Sequence, residues 1–371
     1  MENEKIKLEN AMNFYMLANN LKYITEDGYQ SIADQVYGAM ILATAINSEY
    51  GKVDNLGVTI RMILLAAINE FYHDNLRNVL KRMSNGDLYA VDLCEYYKSE
   101  DFSNKHGRFS FDCMTIEHMM EYFFEKFRKE ENIETEDVRE LYTIAKNHGL
   151  TDNFGNDDNK NFEIFRFYYL NRILKKKVRS GWDSNHWNVS SDRVERISEH
   201  VVGTIALATA LASEFNFGID LEKVSSVLCI HEVGEISIGD ITPFDGITPE
   251  QKQEIEHRAI IDVIGNLSNS NDMVNSIFEF DAQETNDSRF AHYCDKLEAD
   301  IQAKVYQDMG CQHSLSDQQN NVVFKSSRVQ KMIEDGATTA FDIWYEWDKS
   351  IYSDEPIFTK TLNYVRNTKL K

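Results

Sequence analysis

Apolar positions recur at three- and four-residue intervals along most of this chain. Val194, Ile197, Val201, Ile205 and Ala208 form one stripe, with His200 at its edge. Val224, Val227 and Leu228 form a second, which runs on into His231 and Glu235. Phe290, Cys294, Leu297 and Ile301 form a third, bordered by Asp295. This period belongs to helices that bury one face. Helix starts are predicted at Ser190 or Ser191, after Asp220, and after Asp287 or Ser288, whose side chains can cap free backbone N–H groups. Only three prolines occur in 371 residues, so long helices run uninterrupted. The predicted fold class is all-α.

The pattern repeats. Residues 32–49 and 197–214 align at a constant offset of 165, with 9 of 18 positions identical. The register holds through Leu56 and Leu221 to Glu70 and Glu235. Upstream, Phe14-Tyr15-Met16-Leu17 resembles Phe167-Tyr168-Tyr169-Leu170. Downstream, Ile116-Glu117-His118 echoes Ile255-Glu256-His257 at an offset of 139. Between the copies, residues 151–161 are rich in Asn, Asp and Gly and read as loop and linker. Two tandem helical domains are expected, residues 1–155 and 156–371, each long enough for its own core.

Charge narrows the possible functions. Lys and Arg number 39 and Asp and Glu 61, a net charge of −22. Phosphate polymers and anionic membrane surfaces need clustered cations, so neither nucleic acid nor membrane is an expected partner. A small anionic substrate held by one or two local cations, or by a metal, stays open. No apolar run approaches the roughly 18–20 residues of a membrane span. The opening MENEKIKLEN lacks the apolar core of a signal peptide. Five cysteines, never spaced CxxC, read as reduced thiols, and the expected location is cytoplasmic. There is no Gly-rich phosphate loop and no GxSxG elbow.

His200, His231, Glu232 and Asp295 project from the three stripes. Imidazole with carboxylate is a ligand set for a divalent transition ion. His231-Glu232 follows the apolar run Val227-Leu-Cys-Ile230, and burying such a pair with no partner or ion is costly.

These residues also carry a resemblance. Arg179-Ser-Gly-Trp182, Arg196-Ile-Ser-Glu-His200, His231-Glu-Val-Gly-Glu235-Ile-Ser-Ile-Gly-Asp240 and Cys294-Asp295-Lys-Leu-Glu298 resemble, in that order, the motifs of HD-domain phosphohydrolases. The likeness is to the YfbR-like 5′-deoxynucleotidases, over about residues 165–366. It implies an all-helical domain that uses a divalent metal such as Mn²⁺, Co²⁺ or Mg²⁺. It also implies removal of phosphate from deoxynucleoside 5′-monophosphates, by what are usually homodimers. By that resemblance His200, His231, Glu232 and Asp295 are metal ligands. Glu235 orients or deprotonates the attacking water, or protonates the leaving oxygen. Asp240 meets the sugar, Arg179 the phosphate, and Trp182 packs on the nucleoside. One position departs: the family has Asp where this chain has Glu232, which moves the carboxylate out by one methylene. It can ligate after a rotamer adjustment or through water, or tune the site to another ion.

At the 165 offset, Gln35, Ala66 and Ala67 replace His200, His231 and Glu232, while Glu70 keeps the place of Glu235. Asn75 stands for Asp240. The first copy is therefore expected to be an HD fold without a metal site. The nearby His73-Asp74 falls outside the ligand register and reads as a surface turn. Two copies in one chain suggest an intramolecular pseudo-dimer, with room for further self-association. Two alternatives stand beside the nucleotidase: an HD hydrolase of another nucleotide or phosphoester, and a nucleotide-binding pseudoenzyme without turnover.

Overall fold

The computed structural model describes residues 2–25, 30–97, 104–131, 133 and 135–370. It is all-α: among the described residues the only extended pairing is three isolated bridges. The first half holds α1 (Glu2–Asn19), α2 (Ile32–Tyr50), α3 (Leu56–Leu80), α4 (Gly86–Tyr97), α5 (Lys105–Tyr122), α6 (Arg128–Glu130) and α7 (Val138–Asn147). The second holds α8 (Asp158–Asn171), α9 (Ile197–Glu214), α10 (Leu221–Ile230), α11 (Glu235–Ile238), α12 (Pro249–Ile264), α13 (Ser270–Ala282) and α14 (Asn286–Asp308). The chain then closes with α15 (Ser327–Glu334), α16 (Ala340–Asp348) and α17 (Pro356–Asn367).

Local chemistry sets the ends. Ser31 and Asp34 form a reciprocal capping box that opens α2, and Gly51 closes it in the left-handed region at φ 56°. Asp220 caps α10 as expected, accepting from the Glu222 and Lys223 N–H groups. Two predicted starts move. α14 opens one turn earlier, on Thr285, whose hydroxyl accepts the Ser288 N–H. α9 begins at Ile197 and not after Ser190 or Ser191. The intervening residues are committed to tertiary bonds: Glu195 N–H donates to Tyr306 Oη at 2.7 Å, and Arg193 Nε–H to the Lys22 carbonyl at 2.6 Å. His73 and Asp74 are exposed, but they lie within α3, just past a kink at Tyr72.

One hydrophobic core joins helices of both halves, and a smaller cluster around Trp187, Val323, Val329 and Ile343 sits beside it. α1 of the first half lies on α9, α8 of the second lies on α2, and α3 packs on α10. Polar contacts between the halves come in matched pairs. Ser84 gives its N–H and hydroxyl to Glu214, at 3.1 and 2.7 Å. Ser268 gives the same two groups to Glu49, at 2.6 and 2.7 Å. Lys7 reaches the Glu214 carbonyl and Lys160 the Glu49 carbonyl, each at 2.6 Å. Ser31 donates to Glu199 and Arg196 to Asp34, again each at 2.6 Å.

α10 stops where the chemistry begins. The His231 ring donates Nδ1–H to the Leu228 carbonyl at 2.7 Å, beside the point where the backbone ladder ends. A turn follows, and Glu235 opens α11. In the first half α3 runs through Ala66 and Ala67 without interruption.

Candidate metal centre and active site

α9 supplies His200, the end of α10 supplies His231 and Glu232, and α14 supplies Asp295. Their ligand atoms all lie within 4.8 Å of one another. His200 Nε2 is 2.8 Å from Asp295 Oδ1 and 3.5 Å from Glu232 Oε1. His231 Nε2 is 3.6 Å from Glu232 Oε1 and 3.8 Å from Asp295 Oδ1. The added methylene of Glu232 thus still brings its carboxylate to the cluster.

The residues fit a metal by their own chemistry. Because His231 Nδ1–H is spent on Leu228, its Nε2 is an acceptor. That atom is buried and makes no hydrogen bond. An orphaned acceptor aimed at two carboxylates is costly unless a cation fills the space. His200 is likewise oriented from behind: its Nδ1 faces Glu298 Oε2 at 2.5 Å, leaving Nε2 toward the cluster. Burial and Arg179 oppose the His200 imidazolium, but Glu298 and Asp295 outweigh them and raise its pKa to about 9. Burial also works against the Asp295 carboxylate. Lys296 and His200 overcome it and hold that group well below the usual range.

Glu195, His200 and Glu298 form a second acidic triad. It already holds a cation, because Lys22 lies 2.5 Å from Glu195 and 2.6 Å from Glu298.

A cavity of about 230 Å³ opens over the cluster, lined among others by Arg179, Glu235, Asp240, Lys252, His292 and Lys296. Asp240 Oδ2 accepts the Ser180 N–H at 2.8 Å and so fixes the turn behind Arg179. Burial raises the Asp240 carboxyl, but Arg179 and Ser180 pull it down overall. Burial, then the charges of Glu232 and Asp240, push Glu235 well above its ordinary value. Its Oε2 makes no hydrogen bond.

His200 lies fully buried in the cluster, and of the other predicted site residues only Trp182 does not line this cavity. It is buried, donates Nε1–H to Glu195 at 2.9 Å and stacks on Trp344 with centroids 4.9 Å apart. Trp344 itself lines a neighbouring apolar cavity of about 260 Å³, with Trp187, Phe244 and Trp347. Lys296 borders both cavities. Sequence reasoning gave no role to Lys296, Glu298, Glu195 or Lys22. The signal for Glu298 was its place one turn after Asp295, on the same face of α14.

Comparison with known proteins identifies the family. The HD-domain family matches residues 172–335. A 5′-deoxynucleotidase, HDDC2, of Dictyostelium discoideum is 30% identical over 150 residues, covering 38% of this chain and 76% of that protein. Its human counterpart is 25% identical over 150 residues, 39% of this chain and 69% of that one. The 5′-deoxynucleotidase YGK1 of Saccharomyces cerevisiae is 26% identical over 151 residues, covering 38% and 67%. A crystal structure described as a predicted metal-dependent phosphohydrolase from Magnetospirillum magnetotacticum covers 54% of this chain and 93% of its own, at 20% identity and a TM-score of 0.36. The chain belongs to the HD-domain family, and 5′-deoxynucleotidases are among its relatives. No helix among the described residues is long and apolar enough to cross a membrane.

Proposed function

We propose that this protein hydrolyses nucleoside 5′-monophosphates, with deoxyribose preferred, at the His200–His231–Glu232–Asp295 centre. One observation carries the reading: four ligand atoms within 4.8 Å, one an orphaned imidazole nitrogen, lie under a cavity that also presents Arg179, Lys296 and Glu235. A bound divalent ion supplies a lowered pKa for water and polarises the phosphoryl oxygens.

The chain's own groups do the rest. Arg179 offers a planar, permanently charged fork to the phosphate. Hydrolysis forms one P–O bond to water and breaks the bond to the 5′ oxygen, so a proton must leave the water and one must reach the leaving alkoxide. Glu235 is positioned to move it, help worth about 10²–10⁴-fold. Asp240, fixed by Ser180, is the acceptor for a sugar hydroxyl. The aromatic cavity beyond Lys296 suits the base, with Trp344 presenting the ring face that Trp182 supports from beneath. The sequence-based role of Trp182 thus becomes indirect in this reading.

The architecture belongs to the same proposal. Residues 1–155 and 156–371 act as a degenerate and a working copy packed as a pseudo-dimer. The matched Ser84–Glu214 and Ser268–Glu49 contacts support this, since a two-fold interface repeats each contact with the partners exchanged. Five free thiols support a cytoplasmic setting.

The test is phosphate release from a panel of deoxy- and ribonucleoside 5′-monophosphates after chelation and addition of Mn²⁺, Co²⁺ or Mg²⁺. Metal-dependent release favouring deoxy substrates is expected. Folded protein that releases none with any metal would turn the reading toward another phosphoester or a binding role.

A further inference from the structure

We propose that Lys22 and Tyr15, both from the half that lacks the ligands, are positioning residues for His200, acting through Glu298. The inference rests on the metal reading of the site and not on the choice of substrate.

The two oxygens of the Glu298 carboxylate are divided between the halves. Oε1 accepts from Lys22 Nζ at 2.6 Å and from Tyr15 Oη at 2.9 Å. Oε2 faces His200 Nδ1 at 2.5 Å. Lys22, Tyr15, His200 and Glu298 are all buried. A carboxylate pinned on one oxygen cannot rotate about its own axis, so the other oxygen is fixed and the imidazole with it. Lys22 also bonds Glu195 at 2.5 Å, and Glu195 accepts Trp182 Nε1–H. The same cation therefore anchors the segment that carries Arg179. Gly203 on α9 makes the approach possible, because a Cβ there would lie 2.2 Å from Glu298 Oε1.

The first half contains the same device with nothing to position. Lys175 donates to Glu117 at 2.6 Å, and Tyr168 Oη lies 3.4 Å from the same oxygen. Tyr15 and Lys22 stand 153 residues before Tyr168 and Lys175. A Cβ on Gly38 would meet Glu117 Oε1 at 2.6 Å. Glu117 thus takes the place of Glu298, at an offset of 181, and not that of Glu256, as the short sequence echo suggested. At that offset Met114 stands for Asp295, and Gln35 already stands for His200. Each lysine crosses to the other half. Lys175 ties the halves together and holds no ligand, whereas Lys22 ties them together and also holds one.

This symmetry supplies its own control. Apo-protein prepared by chelation is titrated with Mn²⁺ in a calorimeter for wild type, Lys22→Met, Tyr15→Phe and Lys175→Met, with melting curves alongside. The expected result is that Lys22→Met and Lys175→Met lower the melting temperature alike, while only Lys22→Met weakens Mn²⁺ affinity, by about 10–100-fold. Tyr15→Phe weakens it by a smaller but measurable factor, and Lys22→Arg recovers part of the loss. Imidazole ¹⁵N shifts of His200 move in Lys22→Met and Tyr15→Phe and stay in place in Lys175→Met. Unchanged Mn²⁺ affinity in a folded Lys22→Met would overturn the proposal. So would an equal loss in Lys175→Met. If Lys22→Met does not fold, unchanged affinity and His200 shifts in Tyr15→Phe would overturn it. Wild-type protein that binds no Mn²⁺ would overturn the metal reading and this inference together, whereas Mn²⁺ binding without phosphate release would overturn the substrate alone.

Discussion

The buried glutamates at 117 and 298 have nearly the same surroundings and different consequences. Both accept from a lysine at 2.6 Å and face a tyrosine hydroxyl and a helical glycine. Around Glu298, α9 and the end of α10 add His200, His231 and Glu232, and its own helix α14 adds Asp295. At the matching positions of the first half stand Gln35, Ala66, Ala67 and Met114, and α3 continues through Ala66 and Ala67 to its kink at Tyr72. In the first half the lysine–glutamate frame stands with none of the four ligand residues around it. The second shows that such a frame, already in place, serves as the rear support of a ligand cluster. On the proposed reading, the metal site is four side chains and a helix end added to a frame, not a separate fold.

The comparison can be broken at its sharpest point first. Asp295→Ala should lower metal-dependent phosphate release on the order of a thousandfold or more, since it removes a ligand central to the cluster. Met114→Ala should leave the rate unchanged, and steady-state kinetics on both variants checks the pair. His200→Gln copies the first half into the second. It should cost about 10²–10³-fold in the same assay and abolish tight Mn²⁺ binding in dialysis.

Smaller effects refine the picture. Trp347→Ala opens the aromatic cavity and should raise KM several-fold for nucleoside monophosphates, with kcat little changed. Deoxyribose 5-phosphate, which has no base, should show no such change. Glu232→Asp should alter Mn²⁺ affinity by less than about tenfold, because the longer carboxylate already reaches both imidazoles.

The smallest effect concerns stability at an acid pair that the first half lacks, Met119 standing where Asp300 does. Burial raises the Asp348 carboxyl to about 6 against the pull of Lys296. Burial, then the charge of Asp348, raises Asp300 well above its usual value. Folded protein thus keeps protons that the unfolded chain releases above about pH 4. The contribution is complete below that pH and is lost as pH rises through 6. Asp348→Asn should therefore raise the melting temperature by a few degrees at pH 8 and hardly change it at pH 4, by scanning calorimetry.

Much of this was legible beforehand. The three apolar stripes became α9, α10 and α14, and their polar border residues meet in one cluster. Asp220 caps its helix as read. What stayed hidden depended on distant partners. Lys22 and Tyr15 lie 276 and 283 residues from Glu298, and no local pattern marks a lysine that will be buried. The tyrosine and lysine matches at an offset of 153 were the available sign. Ser190 and Ser191 look able to start a helix, but the bonds of Glu195 to Tyr306 and of Arg193 to Lys22 hold the following residues out of one. Trp182 sits beside the ligands in sequence and one layer behind the cavity in space, since its indole N–H is taken by Glu195. A net charge of −22 argued against nucleic acid and membranes but left open a small anion held by local cations, and Arg179, Lys252 and Lys296 converge on one cavity.

The most direct test of the account is the metal stoichiometry of the whole chain, by equilibrium dialysis against Mn²⁺ with elemental analysis. The account predicts one tightly bound ion per chain, lost in Asp295→Ala and retained in Met114→Ala. Two ions per chain, or one that survives Asp295→Ala, would place metal in the half assigned none and contradict it.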